Sequence, residues 1–398
     1  MRDSGTAIPI RLAWSSPFVR WQGALGDVSS LDLAIDVTQR ALKALDFPAI
    51  EVDTVTLGWT VPQPEIFYGA PTVSARIGAE HTTGPMVSQA CATAAVALEL
   101  AQLRVASGLD QLGLVLTTDR TSNGPVLTYP RPSAPGGAPL TENWVLDSFA
   151  RDPVGNLAMV DTAEAVATER GITREELDDV TVMRYEQYTS SLADDRDFQR
   201  RYMVPAHVPR RRQDPLVVDS DQGVTPTTTG GLAQLVPVSP TGVVTHGTQT
   251  HPADGTAGMV VTTLDRARAL ANGQGVAHIL GTGRSRVRAA RMPEAPVPAA
   301  KAALKAANLS IADIDVVTTH NPFAVNDIVF HHEFAFPLER MNPRGSSLIY
   351  GHPQGPTGAR LMIELMHCLV ERGGGIGLFT GCAAGDTGAA VVLRVDDR

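Results

Sequence analysis

Two stretches, Glu51-Val-Asp-Thr-Val-Thr-Leu-Gly58 and Ala312-Asp-Ile-Asp-Val-Val-Thr-Thr-His320, decide the fold. Each is an acidic turn running into a short β-branched strand. The chain downstream of each is also alike. Cys91 comes 38 residues after Asp53, and His352 comes 37 after Asp315. Each precedes an Ala/Leu-rich helical pattern, residues 96–108 in one case and 360–373 in the other, and both close on Gly, the usual helix stop. Short apolar runs come next at Leu112 to Thr117 and Ile376 to Thr380. A duplicated strand–helix–strand unit, carrying one reactive residue per copy into a shared seam, predicts an α/β protein built from two similar halves.

Between the halves the composition changes. Residues 118–239 are rich in Pro, Arg, Asp and Thr, which reads as an inserted loop or lid domain. Helices are predicted inside it from Asp161 to Arg170 and after Thr173, where Thr-Arg-Glu-Glu has the capping-box pattern. The expected organisation is therefore 1–117 as the first half, completed by 240–272, then the 118–239 insert, then 273–398 as the second half. The chain has 398 residues, 43% hydrophobic and 19% charged, with a net charge of -9. That balance argues against nucleic acid or an acidic membrane as the main partner, although a local basic patch can still hold an anionic cofactor. Neither a signal-peptide core nor a run of 18 apolar residues occurs, and the reading is a cytoplasmic protein. Three cysteines, spaced 277 and 14 apart, fit neither a disulfide framework nor a zinc pattern, so no metal is expected.

Three residues carry the chemistry. Cys91 sits in Ser88-Gln-Ala-Cys-Ala-Thr-Ala-Ala95, His352 in Tyr350-Gly-His-Pro-Gln-Gly-Pro-Thr-Gly358, and Cys382 in Thr380-Gly-Cys-Ala-Ala-Gly-Asp-Thr-Gly388. A cysteine at the start of an Ala-rich helix gains thiolate character from the exposed amides and the helix dipole. A histidine within reach makes such a thiol an acyl acceptor. Other candidates have plainer readings. Cys368, among Met366, His367 and Leu369, is core. His331 and His332 are adjacent and point different ways, and the run Arg210-Arg211-Arg212 is by itself a solvated loop.

The chain resembles the thiolase superfamily along nearly its whole length. Asn342-Pro-Arg-Gly345 through Gly351-His-Pro-Gln-Gly355 and Gly358 is similar to the family's histidine signature, and Gly381-Cys-Ala-Ala-Gly-Asp-Thr-Gly388 to its C-terminal cysteine signature. Met159-Val-Asp-Thr-Ala-Glu164 and Asp254-Gly255 also match family segments. The resemblance implies a five-layer αβαβα fold and an acyltransferase, with CoA-dependent cleavage of a 3-oxoacyl-CoA or the reverse Claisen condensation. It makes Cys91 the nucleophile, His352 its base and Cys382 the acid/base at the α-carbon. His320, in His320-Asn-Pro-Phe-Ala324, stands where the family has an oxyanion-hole Asn. The backbone N–H groups of Cys91 and Gly385 become donors of a second oxyanion hole. Coenzyme A is the implied co-substrate, with no covalently bound cofactor, and Arg211, Arg212, Thr250, Met159 and Phe323 are its expected contacts. A homodimer or tetramer is implied, and some divergent members work with a small zinc-ribbon/OB-fold subunit. The departures, Thr93-Ala94 after the nucleophile, Thr250-His251 for Ser-Gly and Pro322, bear on acyl specificity. Two alternatives come with the fold: a decarboxylating ketosynthase-like enzyme, which shares the Cys-His-His set but does not keep Cys382, and a catalytically silent subunit.

Overall fold

A computed structural model describes residues 5–396. The duplicated stretches form equivalent parallel strand pairs. Thr54–Gly58 lies beside Leu112–Arg120 with Gly58 opposite Thr117, and Val316–His320 lies beside Gly375–Ala383 with His320 opposite Gly381. The acidic turns have equivalent jobs. Asp53 accepts the amides of Gln111 and Leu112 at 2.8 Å, and Asp315 accepts that of Ile376 at 2.9 Å, so each carboxylate pins the start of the neighbouring strand.

The largest sheet runs in order through Val316–His320, Gly375–Ala383, Thr387–Val395, Val276–Arg286, Thr6–Pro9, Ala253–Thr263, Leu112–Arg120, Thr54–Gly58 and Met86–Val87. Thr6–Pro9 is the stitch between the halves, antiparallel to Ala253–Thr263 on one side and to Val276–Arg286 on the other. Helices Thr93–Ala106 and Gly355–Glu371 pack on each other and on strands of both halves, which makes them the middle layer. Ser30–Ala44 and Gly69–Ile77 cover the outer face of the first half, and Pro296–Ala307 with Ala324–Phe334 covers that of the second. The expected five layers are all present. Every residue from Gly355 to Leu369 is buried, so the apolar sequence of that helix has no solvent face to spare.

The insert holds the hairpin Val126–Tyr129/Leu140–Asn143, helices Trp144–Ala150, Met159–Arg170 and Arg174–Ser190, and the hairpin Ala206–Arg210/Gln213–Val218. Thr173 and Glu176 form the capping box, each accepting the other's amide. Strand Leu112–Arg120 runs through the boundary drawn at residue 117. Two buried ion pairs clamp the insert to the second half: Arg184 to Asp327 at 2.8 Å and Arg360 to Asp221 at 2.6 Å. Removing one partner of such a pair strands a charge, at a cost of about 3–5 kcal/mol. No helix among the described residues is long and apolar enough to cross a membrane.

Candidate active site

Cys91 lies in the turn that enters helix Thr93–Ala106. Ala90 before it has φ +45°, a left-handed conformation that costs an L-residue free energy and that the surroundings must hold in place. Thr93 does the holding. Its hydroxyl accepts the amide of Gln89 at 2.9 Å and donates to the carbonyl of Ala90 at 2.7 Å. The unusual Thr93 after Cys91 is thus the clasp of its turn. Gly58 makes room for it, since a Cβ there would meet Thr93 Cγ2 at 2.6 Å.

The second half supplies the remaining groups. His352 Nε2 is 3.0 Å from Cys91 Sγ, and His352 Nδ1 is 2.6 Å from the hydroxyl of Thr357. Gln354, at φ +60°, brings Oε1 to 3.3 Å from the same sulfur. The ring of His320 stacks on that of His352 with centroids 4.0 Å apart. His320 Nδ1 is 2.9 Å from Ser347 Oγ, and its buried Nε2 has no partner among the described residues. With the Ser347 proton on this shorter bond rather than on Asn321 Oδ1 at 3.4 Å, Nε2 of His320 is the N–H donor. Cys382 is buried behind the pair, at the end of Gly375–Ala383, with Asn326 Nδ2 at 3.3 Å from its sulfur.

Burial sets the protonation states. It pushes the Cys91 thiol up to about 12, against the opposing amides of Ala384 and Cys91 itself. It pulls His320 down to about 3, and His352 well below its ordinary value with His320 adding to the effect. The thiolate expected from the helix start is therefore not the resting form. Desolvation outweighs the dipole, and the site rests as neutral thiol and neutral imidazoles. The sulfur of Cys91 and one nitrogen of each ring lie within 4.8 Å of one another, close enough to hold a soft metal ion, but the Cys91 sulfur would then be tied up as a ligand.

Cys91 and His352 open into a cavity of about 490 Å³, also lined by Thr60, Val61, Trp144, Phe149, Met159, Thr250, Pro322, Phe323 and Ala384. Met159, Thr250 and Phe323 are thus brought to the site as expected from the sequence. Gly385 is displaced by one residue, since Ala384 lines the cavity and Gly385 a neighbouring cleft. Arg211 and Arg212 are exposed at the tip of the Ala206–Arg210/Gln213–Val218 hairpin and do not line the cavity.

Several contributors had no signal in sequence. Asp119 is fully buried and accepts the amides of Thr60, Val61 and Gly355 at 2.7–2.8 Å, bridging the halves close to Cys91. Burial raises its carboxyl to about 7 despite those bonds. Gln354, Asn326, Ser347, Thr357 and the Trp144 wall were also missed.

Residues 10–265 match the family model of the thiolase N-terminal domain, and residues 274–395 that of the thiolase C-terminal domain. The chain belongs to the thiolase family. The expected fold and acyltransferase class stand. Among similar proteins is a probable acetyl-CoA acyltransferase of Staphylococcus epidermidis, 29% identical over 96% of this chain and 97% of that protein. One from Staphylococcus aureus is also 29% identical, over 98% and 99%. Among solved structures, the Bacillus anthracis acetyl-CoA acetyltransferase superposes with a TM-score of 0.90 at 26% identity, covering 98% of each chain. Human mitochondrial 3-ketoacyl-CoA thiolase in complex with CoA gives 0.88 at 25%, covering 98% of this thiolase-family chain and 97% of that one.

Proposed function

We propose that this chain is a thiolase that cleaves a 3-oxoacyl-CoA with CoA, or runs the reverse Claisen condensation, through an acyl group on Cys91. The observation that carries this reading is the 3.0 Å approach of Cys91 Sγ to His352 Nε2, with a second buried thiol close enough that the charge of one raises the other. In the cleavage direction His352 Nε2 takes the Cys91 proton as the sulfur attacks the 3-keto carbon. For that, Nδ1–H of His352 must face Thr357. The resting neutral pair fits such a transfer, since no charge is buried until substrate arrives. The amides of Cys91 and Ala384 face the sulfur and support the role of donors of the second oxyanion hole, Ala384 standing in place of the Gly385 expected from sequence. Collapse breaks the C2–C3 bond and leaves an enolate, whose oxygen meets Nε2–H of His320. Cys382 then gives its S–H proton to C2. CoA finally attacks the acyl-Cys91 thioester, its S–H proton passing to the Cys382 thiolate, and the released Cys91 sulfur regains the proton held by His352.

On the same reading, Met159, Thr250 and Phe323 line the CoA arm, residues 118–239 form the lid, and the apolar wall of Val61, Trp144 and Phe149 takes the acyl chain. A homodimer or tetramer belongs to the reading too, and is supported by Phe67, 79% exposed, and Tyr68, 64% exposed, in the nucleophile half. The stacked His320 and His352 beside Cys91 favour one second reading, a decarboxylating condensing enzyme. The deciding experiment follows loss of 3-oxoacyl-CoA enolate absorbance on adding CoA, across short, long, branched and aromatic substrates. CoA-dependent cleavage that vanishes in both Cys91→Ala and Cys382→Ala is expected. Condensation from malonyl-CoA that survives Cys382→Ala, with no cleavage of any substrate, would replace it with the second reading.

A further inference from the structure

Asn326 stands in no recognisable motif, yet its placement is specific. It lies in the first turn of Ala324–Phe334 and is 2% exposed. Its Oδ1 accepts the amide of Phe323 at 3.3 Å, and its Nδ2 is 3.3 Å from Cys382 Sγ. The two contacts settle the orientation of the amide. The face turned to the helix start must be the oxygen, because a backbone N–H cannot bond to an NH₂. The face turned to Cys382 is therefore the NH₂, which only donates. We infer that Asn326 is a positioning residue for the acid/base step, holding Cys382 so that its sulfur accepts from the amide and its own S–H points away from Asn326, toward the reacting carbon.

This placement has two consequences. A donor aimed at sulfur stabilises the thiolate left when Cys382 gives its proton to C2, and equally the thiolate needed to take one in condensation. Burial and the neighbouring Cys91 both raise this thiol, and the Asn326 amide is the one side-chain bond set against them. The amide also ties proton transfer to the substrate wall, since Phe323, whose N–H it caps, lines the cavity. The proton balance is simple. S–H of Cys382 becomes S⁻ as the C2 carbanion becomes C–H, and the reverse step restores both.

This inference rests on the thiolase reading, and the test separates the two. The full-length chain is incubated with acetyl-CoA in D₂O. Two readouts are taken: S-acylation of Cys91, which needs no α-proton transfer, and deuterium entry into the acetyl methyl group, which does. Wild type is expected to do both, and Cys382→Ala only the first. Asn326→Ala and Asn326→Leu should acylate Cys91 within about threefold of wild type. Their deuterium exchange at neutral pH should fall by about 10- to 100-fold, the range for a hydrogen bond to a charged group. The alkaline rise of exchange with pH should also move upward. A merely structural defect would lower both readouts together and leave that pH limb in place, which overturns the inference. Exchange at the wild-type rate in both Asn326 variants overturns it as well, while leaving the thiolase reading intact. Cys91 acylation without any exchange dependent on Cys382 in wild type overturns both.

Discussion

The two halves share one scaffold and divide the chemistry unequally. Where the first half ends its parallel pair on Gly58 and Thr117, the second ends on His320 and Gly381, with Cys382 one residue further on. On the proposed reading the first half contributes the nucleophile, Cys91, whose turn is held by Thr93, and little else that reacts. On the same reading the second contributes the base, His352, with the stacked imidazole of His320 and the thiol of Cys382. Asp119, the buried acid of the first half, is given over to structure, reaching across to the amide of Gly355. A duplicated fold can therefore keep its strand register while one copy becomes the platform and the other the reagent shelf.

The sharpest way to break that comparison is to remove one thiol from each half. Cys91→Ala should lower turnover at least about 10⁴-fold and abolish S-acylation. Cys382→Ala should cost about 10²–10⁴ in turnover yet keep acylation of Cys91. Equal loss of acylation in both would mean that the halves do not divide the work. His320→Ala should lower kcat by about 10²–10³, the cost of losing one oxyanion donor. His320→Asn should recover most of it, as read from steady-state rates with the best substrate.

Asp119→Asn tests the structural role of the first half's acid. The amides of Thr60, Val61 and Gly355 then compete for one oxygen, and urea unfolding should show a loss of about 2 kcal/mol. Its pH dependence has a definite sign. A carboxyl raised from 3.8 to about 7 favours the folded state fully below 3.8, and that contribution disappears as pH climbs to about 7. His320 acts in the opposite sense. Its ordinary value is 6.5 and its folded value about 3, so the unfolded chain gains a proton first and stability falls as pH drops from 6.5 toward 3. In thermal melts across pH, His320→Asn should flatten that acid decline and Asp119→Asn the opposing slope. The smallest effect is expected at Arg211→Ala and Arg212→Ala, with KM for CoA within about twofold of wild type. Exposed charges on a hairpin tip are worth little. A tenfold rise would bring the tip back to the CoA arm.

How much of this was legible in the sequence depends on how local each signal is. The repeat was readable because a strand start, its acid and the helix stop are short-range patterns. Cys91, His352, Cys382 and His320 were readable because signature and repeat placed them at equivalent ends of those units. Asp119 was not legible as a site residue, since its partners lie at residues 60, 61 and 355. Gln354 and Asn326 depend on a backbone angle and an amide orientation that no spacing encodes. Arg211 and Arg212 show the reverse case, where a run of charge names a loop but not where its tip lands. The thiolate at Cys91 failed on magnitude, because the helix field is worth less than the water the pocket excludes.

The stitching strand Thr6–Pro9 has a consequence for how the molecule is made. Its partners are Thr262 and Thr263 on one side and Val276 to His278 on the other. During synthesis this segment leaves the ribosome long before either neighbour exists, and it waits with both hydrogen-bonding edges open. Joining strands so distant along the chain is slow, because the loop entropy is lost before the contacts are gained. This early piece of chain is among the last to find its place, and until it does the sheet stays open between Ala253–Thr263 and Val276–Arg286.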